Sequence, residues 1–316
     1  MPQREKDQER GVSLATPDMI RRLQEALGTT AKQAPTSRVY RLYDKVYRAD
    51  ILAHAYALAK QRRGAAGVDG ETFEAIETAG RERGLAAVQA AVRTESYRPQ
   101  SVRRVMIPKP AGGTRPLGVP TGRDRVVQTA IRLILQPIFE AEMEPTVSGD
   151  RPGRSARDAG QTAHRALCAG QTQVVDADVS QYFDTISHTA LIQALARRIS
   201  DRELLRLLTR WLKMPVAERT ARGGWRYSVG KRATRGIPQG GVISPLLANR
   251  DMNRFLRAFR QAGLDRRYGA RLVNDADDFV VLCRYGAAEV LAQTRQWFQQ
   301  MGLTLNEQQT RLCNGR

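Results

Sequence analysis

The chain has 316 residues, and 51 Lys plus Arg against 32 Asp plus Glu leave a formal net charge of +19. At 41% hydrophobic and 26% charged residues it can bury sizeable cores, so a wholly disordered chain is excluded and roughly two domains are expected. No apolar run approaches the ~18 residues of a membrane span, and three widely spaced cysteines, Cys168, Cys283 and Cys313, exclude a disulfide framework and a paired-cysteine metal knuckle.

Residues 1–15 read as a disordered lead, and the polar stretch Met1–Arg10 lacks a signal-peptide core, so a reduced, cytoplasmic (bacterial cytosol) setting is expected. A helix follows, with Thr16 as cap, Pro17 in its first turn, Ile20, Leu23 and Leu27 on one face and Gly28 as its stop. A second helical stretch is predicted from about Val39 to Arg62, then a tight turn at Gly67-Val68-Asp69-Gly70 and helix again over 71–94. Pro99, Pro108, Pro110, Gly112 and Gly113 punctuate a strand, Val102–Ile107, and a loop. Val126, Val127, Ala130, Ile131, Ile134, Leu135 and Ile138 line one face of a strongly amphipathic helix over Arg123–Glu140. Thr172–Val179 reads as a strand, Ser187–Arg198 and Asp201–Leu212 as helices, and Gly236–Gly241 as a glycine-rich loop feeding a helix over Ser244–Gln261. Strands at Leu272–Asn274 and Phe279–Cys283 flank a tight acidic turn, and a helix over Ala287–Met301 comes last.

The positive charge recurs along the whole chain, as in Arg98, Arg103, Arg104, Lys109, Arg115, Arg123 and Arg125, which favours a basic channel across a folded body that binds a phosphate backbone. Three segments carry chemistry: Val174 to Asp184, Gly236 to Pro245, and Asp275 to Phe279. Carboxylates at a hairpin tip repel one another unless a cation neutralises them, and hard oxygen ligands of this kind suit Mg²⁺. Successive strand residues point to opposite faces, so Asp277 and Asp278 are not equivalent and one of them is the principal ligand. Asp178, at the end of an apolar strand, supplies the second carboxylate of a two-metal site. His54, His164 and His188 have no metal-ligand spacing and read as structural.

Taken together, these three segments resemble reverse transcriptases encoded by group II introns. That family's Asp-led strand, Pro-Gln-Gly-Gly-x-x-Ser-Pro loop and Tyr-Ala-Asp-Asp turn are matched by Asp178–Asp184, Pro238–Pro245 and Asp275–Asp278. Upstream, Tyr97-Arg98-Pro99-Gln100, Ile107-Pro108-Lys109-Pro110, Arg115 to Pro120, Arg123-Asp124-Arg125 and Arg151 to Ser155 agree as well, so the resemblance covers roughly residues 15–312. It implies an α+β fold: the fingers and palm of a right-handed polymerase, with the palm an antiparallel sheet packed on helices and a helical N-terminal fingers extension. The division expected is 16–165 for extension and fingers and 166–316 for the palm, with a fingers-proximal helical insertion around 187–235 and no thumb before Arg316.

The resemblance further implies RNA-directed DNA synthesis with two Mg²⁺ ions, replaceable by Mn²⁺, held by Asp178, Asp277, Asp278 and the Val179 carbonyl. Lys109 and Arg115 match residues that clasp the incoming triphosphate, while Gln239 and Gly240 lie against the nucleotide. Phe183 matches the steric gate against a ribose 2′-hydroxyl, its alternative being an ordinary core aromatic. Arg123, Arg125, Arg151, Arg154 and Gly241 fall where nucleic acid is expected, though Arg151 and Arg154 equally suit salt bridges within the fingers. The partners implied are an RNA template, a DNA primer, a dNTP and a structured intron RNA, without a membrane.

The departures from the family pattern are concentrated. Asp275 replaces its Tyr, Ser148-Gly149-Asp150 replaces Tyr-Gly-Phe, Arg250 and Asp251 follow Ala248-Asn249, and Gln309 stands where a Lys is usual. Buried and unpaired, Asp150, Arg250 and Asp251 would each cost several kcal/mol, so each is expected to be exposed, paired or strained. Drift in a working enzyme and an RNA-binding protein with weakened or lost catalysis, acting in splicing or as a scaffold, both remain open at this level.

Overall fold

The computed structural model describes residues 14–108, 112–228, 230 and 232–315. Of the expected disordered lead only Leu14 and Ala15 fall among them. Five helices open the chain: α1 (Asp18–Gln33), α2 (Tyr43–Val46), α3 (Ala49–Gln61), α4 (Phe73–Thr78) and α5 (Arg81–Arg93). The single helices expected over 39–62 and 71–94 are each broken, the second at Gly80, whose φ of 103° no ordinary helical residue adopts. Thr16 does not cap α1; Pro17 occupies the cap position with no side-chain bond. Gly28 does not stop α1 either, because Ala31, one turn further on and 1% exposed, still packs into the core.

A hairpin, β1 (Val102–Pro108) and β2 (Thr114–Val119), leads into α6 (Gly122–Glu140). α6 is the spine of this half, with Val127, Ala130, Ile131, Leu135 and Ile138 all fully buried against α1 and α3. Its start is fixed by Thr121, whose Oγ1 accepts the Asp124 amide at 3.1 Å, and the Asp124 carboxylate in turn accepts the Gln100 amide at 3.1 Å and the Tyr97 hydroxyl.

The remainder runs α7 (Ala156–Cys168), β3 (Gln173–Asp178), α8 (Tyr182–Thr185), α9 (His188–Ala196), α10 (Arg202–Leu212), β4 (Val216–Arg219), β5 (Trp225–Ser228), α11 (Ser244–Gln261), α12 (Leu264–Arg267), β6 (Arg271–Asp275), β7 (Asp278–Cys283), α13 (Ala287–Met301) and β8 (Arg311–Asn314). The insertion expected to be helical over 187–235 also carries a β-hairpin, and β4 pairs in parallel with β1 at Val102↔Val216. The first sheet is therefore ordered β2-β1-β4-β5, and residues 216–228 belong with the fingers hairpin rather than with the palm.

The second sheet, β6-β7-β3-β8, is antiparallel throughout. Alternation gives it two different faces. Val175 and Ala177 of β3, Phe279, Val281 and Cys283 of β7, and Leu272 of β6 join the main core beneath α11 and α13, where Phe279 stacks on Phe298 at 5.6 Å. The opposite face packs Val174, Val273, Val280 and Leu282 under Ala159, Ala163, Ala166 and Leu167 of α7. This mixed α+β architecture agrees with the fold class expected from the sequence.

Candidate active site

The α7-covered face of the second sheet continues, past the end of that helix, into a row of carboxylates. Asp178 of β3 is paired directly with Asp278 of β7, and Asp278 with Asp275 of β6, so all three project from one face beside Asp176. Asp277 lies in the two-residue turn between β6 and β7, next to Ala276, whose φ is 61°. Partial burial and the charges of Asp277, Asp178, Asp176 and Asp275 push the Asp278 carboxyl up to about 6. Burial, followed by the charges of Asp178, Asp150 and Asp275, also raises Asp277. Burial and the neighbouring like charges thus make Asp277 and Asp278 harder to ionise.

Asp178 is held from its far side. Its carbonyl accepts the Asn306 amide at 2.9 Å, and its Oδ2 accepts the Asn306 side-chain amide at 3.2 Å. The same side-chain amide donates to Gln309 Oε1, so position 309 stands one side chain away from Asp178. Val179 faces Leu305 in a bridge whose hydrogen bonds are made by the flanking Asp178 and Ser180. That pattern turns the Val179 carbonyl away from Leu305, toward the β6–β7 hairpin.

Among the described residues no group of three or more His, Cys, Asp or Glu side chains comes close enough to form a ready-made metal site. The donor set nevertheless fits a hard divalent cation: every atom offered is oxygen, and mutual repulsion is what a cation relieves.

The glycine-rich loop is anchored on two sides. The Gly236 amide donates to the Ile186 carbonyl at 2.9 Å, the Ile237 amide to the Phe183 carbonyl at 2.7 Å, and His188 Nε2 to the Gly236 carbonyl at 2.6 Å. Ser244 Oγ closes on the Pro238 carbonyl at 2.7 Å, and Gln128 of α6 accepts the Val242 amide at 2.9 Å. Across the cleft, the Gly118 amide of β2 donates to the Gln239 carbonyl. Gly240 has φ +98°, and a Cβ there would lie 2.6 Å from the Gly118 carbonyl oxygen, so only glycine allows this fingers-to-palm approach.

The other residues singled out from sequence fall into three groups. Phe183 is half-buried, edge-on to Tyr182 at 5.9 Å, and Arg115 and Arg154 are exposed. Lys109 lies outside the described residues. Arg125 and Gly241 correct the expectation of nucleic-acid contact, because both are turned inward, and Arg151 follows the second of its two expected readings. Arg125 donates to the carbonyls of Gly64, at 3.0 Å, and Ala65. Arg151 pairs with Glu140 at 2.8 Å and donates to the Glu144 and Val147 carbonyls, which settles it as a salt bridge within the fingers. Gly241 is buried, and a Cβ on it would meet Ser244 Oγ. Arg123 is half-buried with its guanidinium 5.4 Å from the Tyr97 ring centre.

The departures divide as electrostatics requires. Arg250, 4% exposed, pairs with Glu142 at 2.8 Å and lies over Phe139. Asp251, 2% exposed, pairs with Arg254 at 2.8 Å. Asp150 is exposed and strained, at φ 55°. Its neighbour Gly149 is held by Asn249 at 2.8 Å and pressed so closely on the hairpin that a Cβ would lie 2.4 Å from the Ala276 nitrogen. Three supporting residues were not picked out by sequence reasoning, Asn249, Gln128 and Asn306, whereas His188 holds the loop in the structural role read from the sequence. Asn249 lies inside a family motif, whereas Asn306 sits in polar sequence that gives no signal.

Residues 107–315 match the family described as reverse transcriptase (RNA-dependent DNA polymerase). Protein YkfC of Escherichia coli (strain K12) is 36% identical over 247 residues, covering 75% of this chain and 61% of that protein. The group II intron-encoded protein LtrA of Lactococcus lactis subsp. cremoris is 34% identical over 212 residues, covering 66% of this chain and 33% of its own. Among solved structures, an apo telomerase from Candida tropicalis, truncated from its C-terminal domain, superposes with a TM-score of 0.52 at 13% identity, over 69% of this chain and 50% of that one, which is a likeness of fold. The chain thus spans less than two thirds of the length of these curated relatives.

Proposed function

Since the chain belongs to the reverse transcriptase (RNA-dependent DNA polymerase) family and resembles its group II intron-encoded members, we propose that it extends a DNA primer on an RNA template. The observation that carries this reading is the register that sets Asp178 opposite Asp278 at the hairpin holding Asp277. In the reaction, the primer 3′-hydroxyl oxygen bonds to the α-phosphorus of a dNTP and the bond to pyrophosphate breaks. Two Mg²⁺ ions, when bound, neutralise the attacking and leaving oxygens. Asp178, Asp277, Asp278 and the Val179 carbonyl would hold them. Gly240 lets the nucleotide approach the backbone closely, Gln239 contacts it, and Arg115 with Lys109 neutralises its triphosphate. Phe183 closes the space a ribose 2′-hydroxyl would need.

The test is incorporation of dNTP on an RNA template with Mg²⁺, repeated with EDTA and with Phe183→Ala. Mg²⁺-dependent synthesis that begins to accept ribonucleotides in Phe183→Ala is expected. No synthesis by a folded, RNA-bound parent would contradict the reading. A second reading, RNA binding without polymerisation in splicing or as a scaffold, is favoured by the extra carboxylates Asp275 and Asp150 beside Asp277 and by the neutral Gln309 near Asp178. It is distinguished by the same assay.

A further inference from the structure

α9 and α11 enclose a polar groove of about 240 Å³ lined by Arg197, Arg250, Arg254 and Arg257, with Gln193 and Gln261 also in its lining. It uses the second half of α11 and shares no residue with the β6–β7 hairpin or the glycine-rich loop. Its positive charge is under-compensated. Arginines 198, 250, 254, 257 and 260 share three carboxylates, Glu142, Glu144 and Asp251, and Arg197 adds a further cation to the lining.

Part of this guanidinium capacity is unpaired. Arg250 is 4% exposed and bonds Glu142 and the Ala194 carbonyl, yet its Nε has no partner. Arg257 stands 3.9 Å from both Glu142 and Glu144, too far for a hydrogen bond. Arg197 is exposed and forms no ion pair among the described residues. Guanidinium forks match phosphate oxygens in pairs. The lining offers no aromatic or large aliphatic anchor of the kind that dominates protein–protein contacts.

We propose that this groove is a second phosphate-binding site, taking the backbone of an RNA strand away from the aspartates. Only the choice of RNA as the strand rests on the proposed function. The test is binding of a labelled single-stranded RNA across a salt series by the parent, by Arg197→Gln/Arg257→Gln and by Arg197→Lys/Arg257→Lys. Both side chains are at least partly exposed, and thermal midpoints check that the folds match. The Gln pair should bind more weakly, with the slope of log K against log salt shallower by up to about 1.4, at ~0.7 per phosphate contact on a single strand. The Lys pair should keep most of the parent's slope. Extension of a short primer–template should be the same in all three proteins. Unchanged affinity and slope in the Gln pair would overturn the proposal. So would polyglutamate binding that equals RNA and is lost in the Gln pair, since the groove would then dock an acidic protein. A parent that binds RNA through the groove but extends no primer would strike the polymerase reading alone and leave the groove standing.

Discussion

Single residues near the aspartates carry charge in places where an apolar or aromatic side chain would cost less, and the surroundings show how each is tolerated. The Asp278 carboxyl, at about 6, takes up its proton well above the ordinary carboxylate range near 4. The folded state therefore binds this proton more tightly than the unfolded state does. The group is destabilising above about pH 6, and the penalty fades as pH falls toward 4. Asp278→Asn should raise the thermal midpoint of the metal-free protein at pH 8, with the gain vanishing near pH 4; a midpoint unchanged at pH 8 would contradict this. In the proposed two-metal reaction Mg²⁺ would compete with the same proton, so its affinity should fall below pH 6, by up to about tenfold per unit for one displaced proton, and calorimetry at pH 5 and pH 7.5 reads this directly. Further from the site, the Arg198 side chain is 3% exposed, pairs with Glu142, and donates to carbonyls of Ala31, Ala34, Pro35 and Ser37, tying the end of α1 to the palm. Arg198→Ala should cost about 3–5 kcal/mol in denaturant unfolding.

At the scale of elements, the β6–β7 hairpin is the most constrained piece. Ala276 sits at φ 61°, where a Cβ costs roughly 1–2 kcal/mol, partly offset in a Gly variant by the greater entropy of the unfolded chain. Ala276→Gly should therefore stabilise the protein by about 0.5–1 kcal/mol, and a destabilised variant would show that the turn relies on that side chain. Where hydrophobic spacing was strong, the sequence was readable. The helix over Ser244–Gln261 is found with the expected bounds, and α6 starts one residue early. Short polar elements were not readable: Val216–Arg219 and Trp225–Ser228 hold too few apolar residues to show a period, and Pro116 with Gly118 disguised β2 as loop. Ala156–Cys168 was missed although Ser155 and Asp158 form a reciprocal capping box that announces a helix start. The inward turn of Arg125 had no sequence signal, since its partners are backbone carbonyls that only the fold brings near.

The whole molecule is a fingers sheet and a palm sheet held together through the glycine-rich loop, on a chain whose charge of +19 is spread along its length. Several arginines that seemed free in the sequence are internal, so the surface charge available to nucleic acid is narrower than the total. That concentrates attention on the groove between α9 and α11 and on the cleft beside the aspartates. The central claim concerns that cleft, and extension of oligo(dT) on poly(rA) with dTTP and Mg²⁺ reaches it most directly, with the parent run beside Asp277→Ala and Asp275→Tyr. Extension by the parent and by Asp275→Tyr, abolished in Asp277→Ala, is the expected result. Extension retained in Asp277→Ala, or a folded and RNA-bound parent that extends nothing, would contradict it.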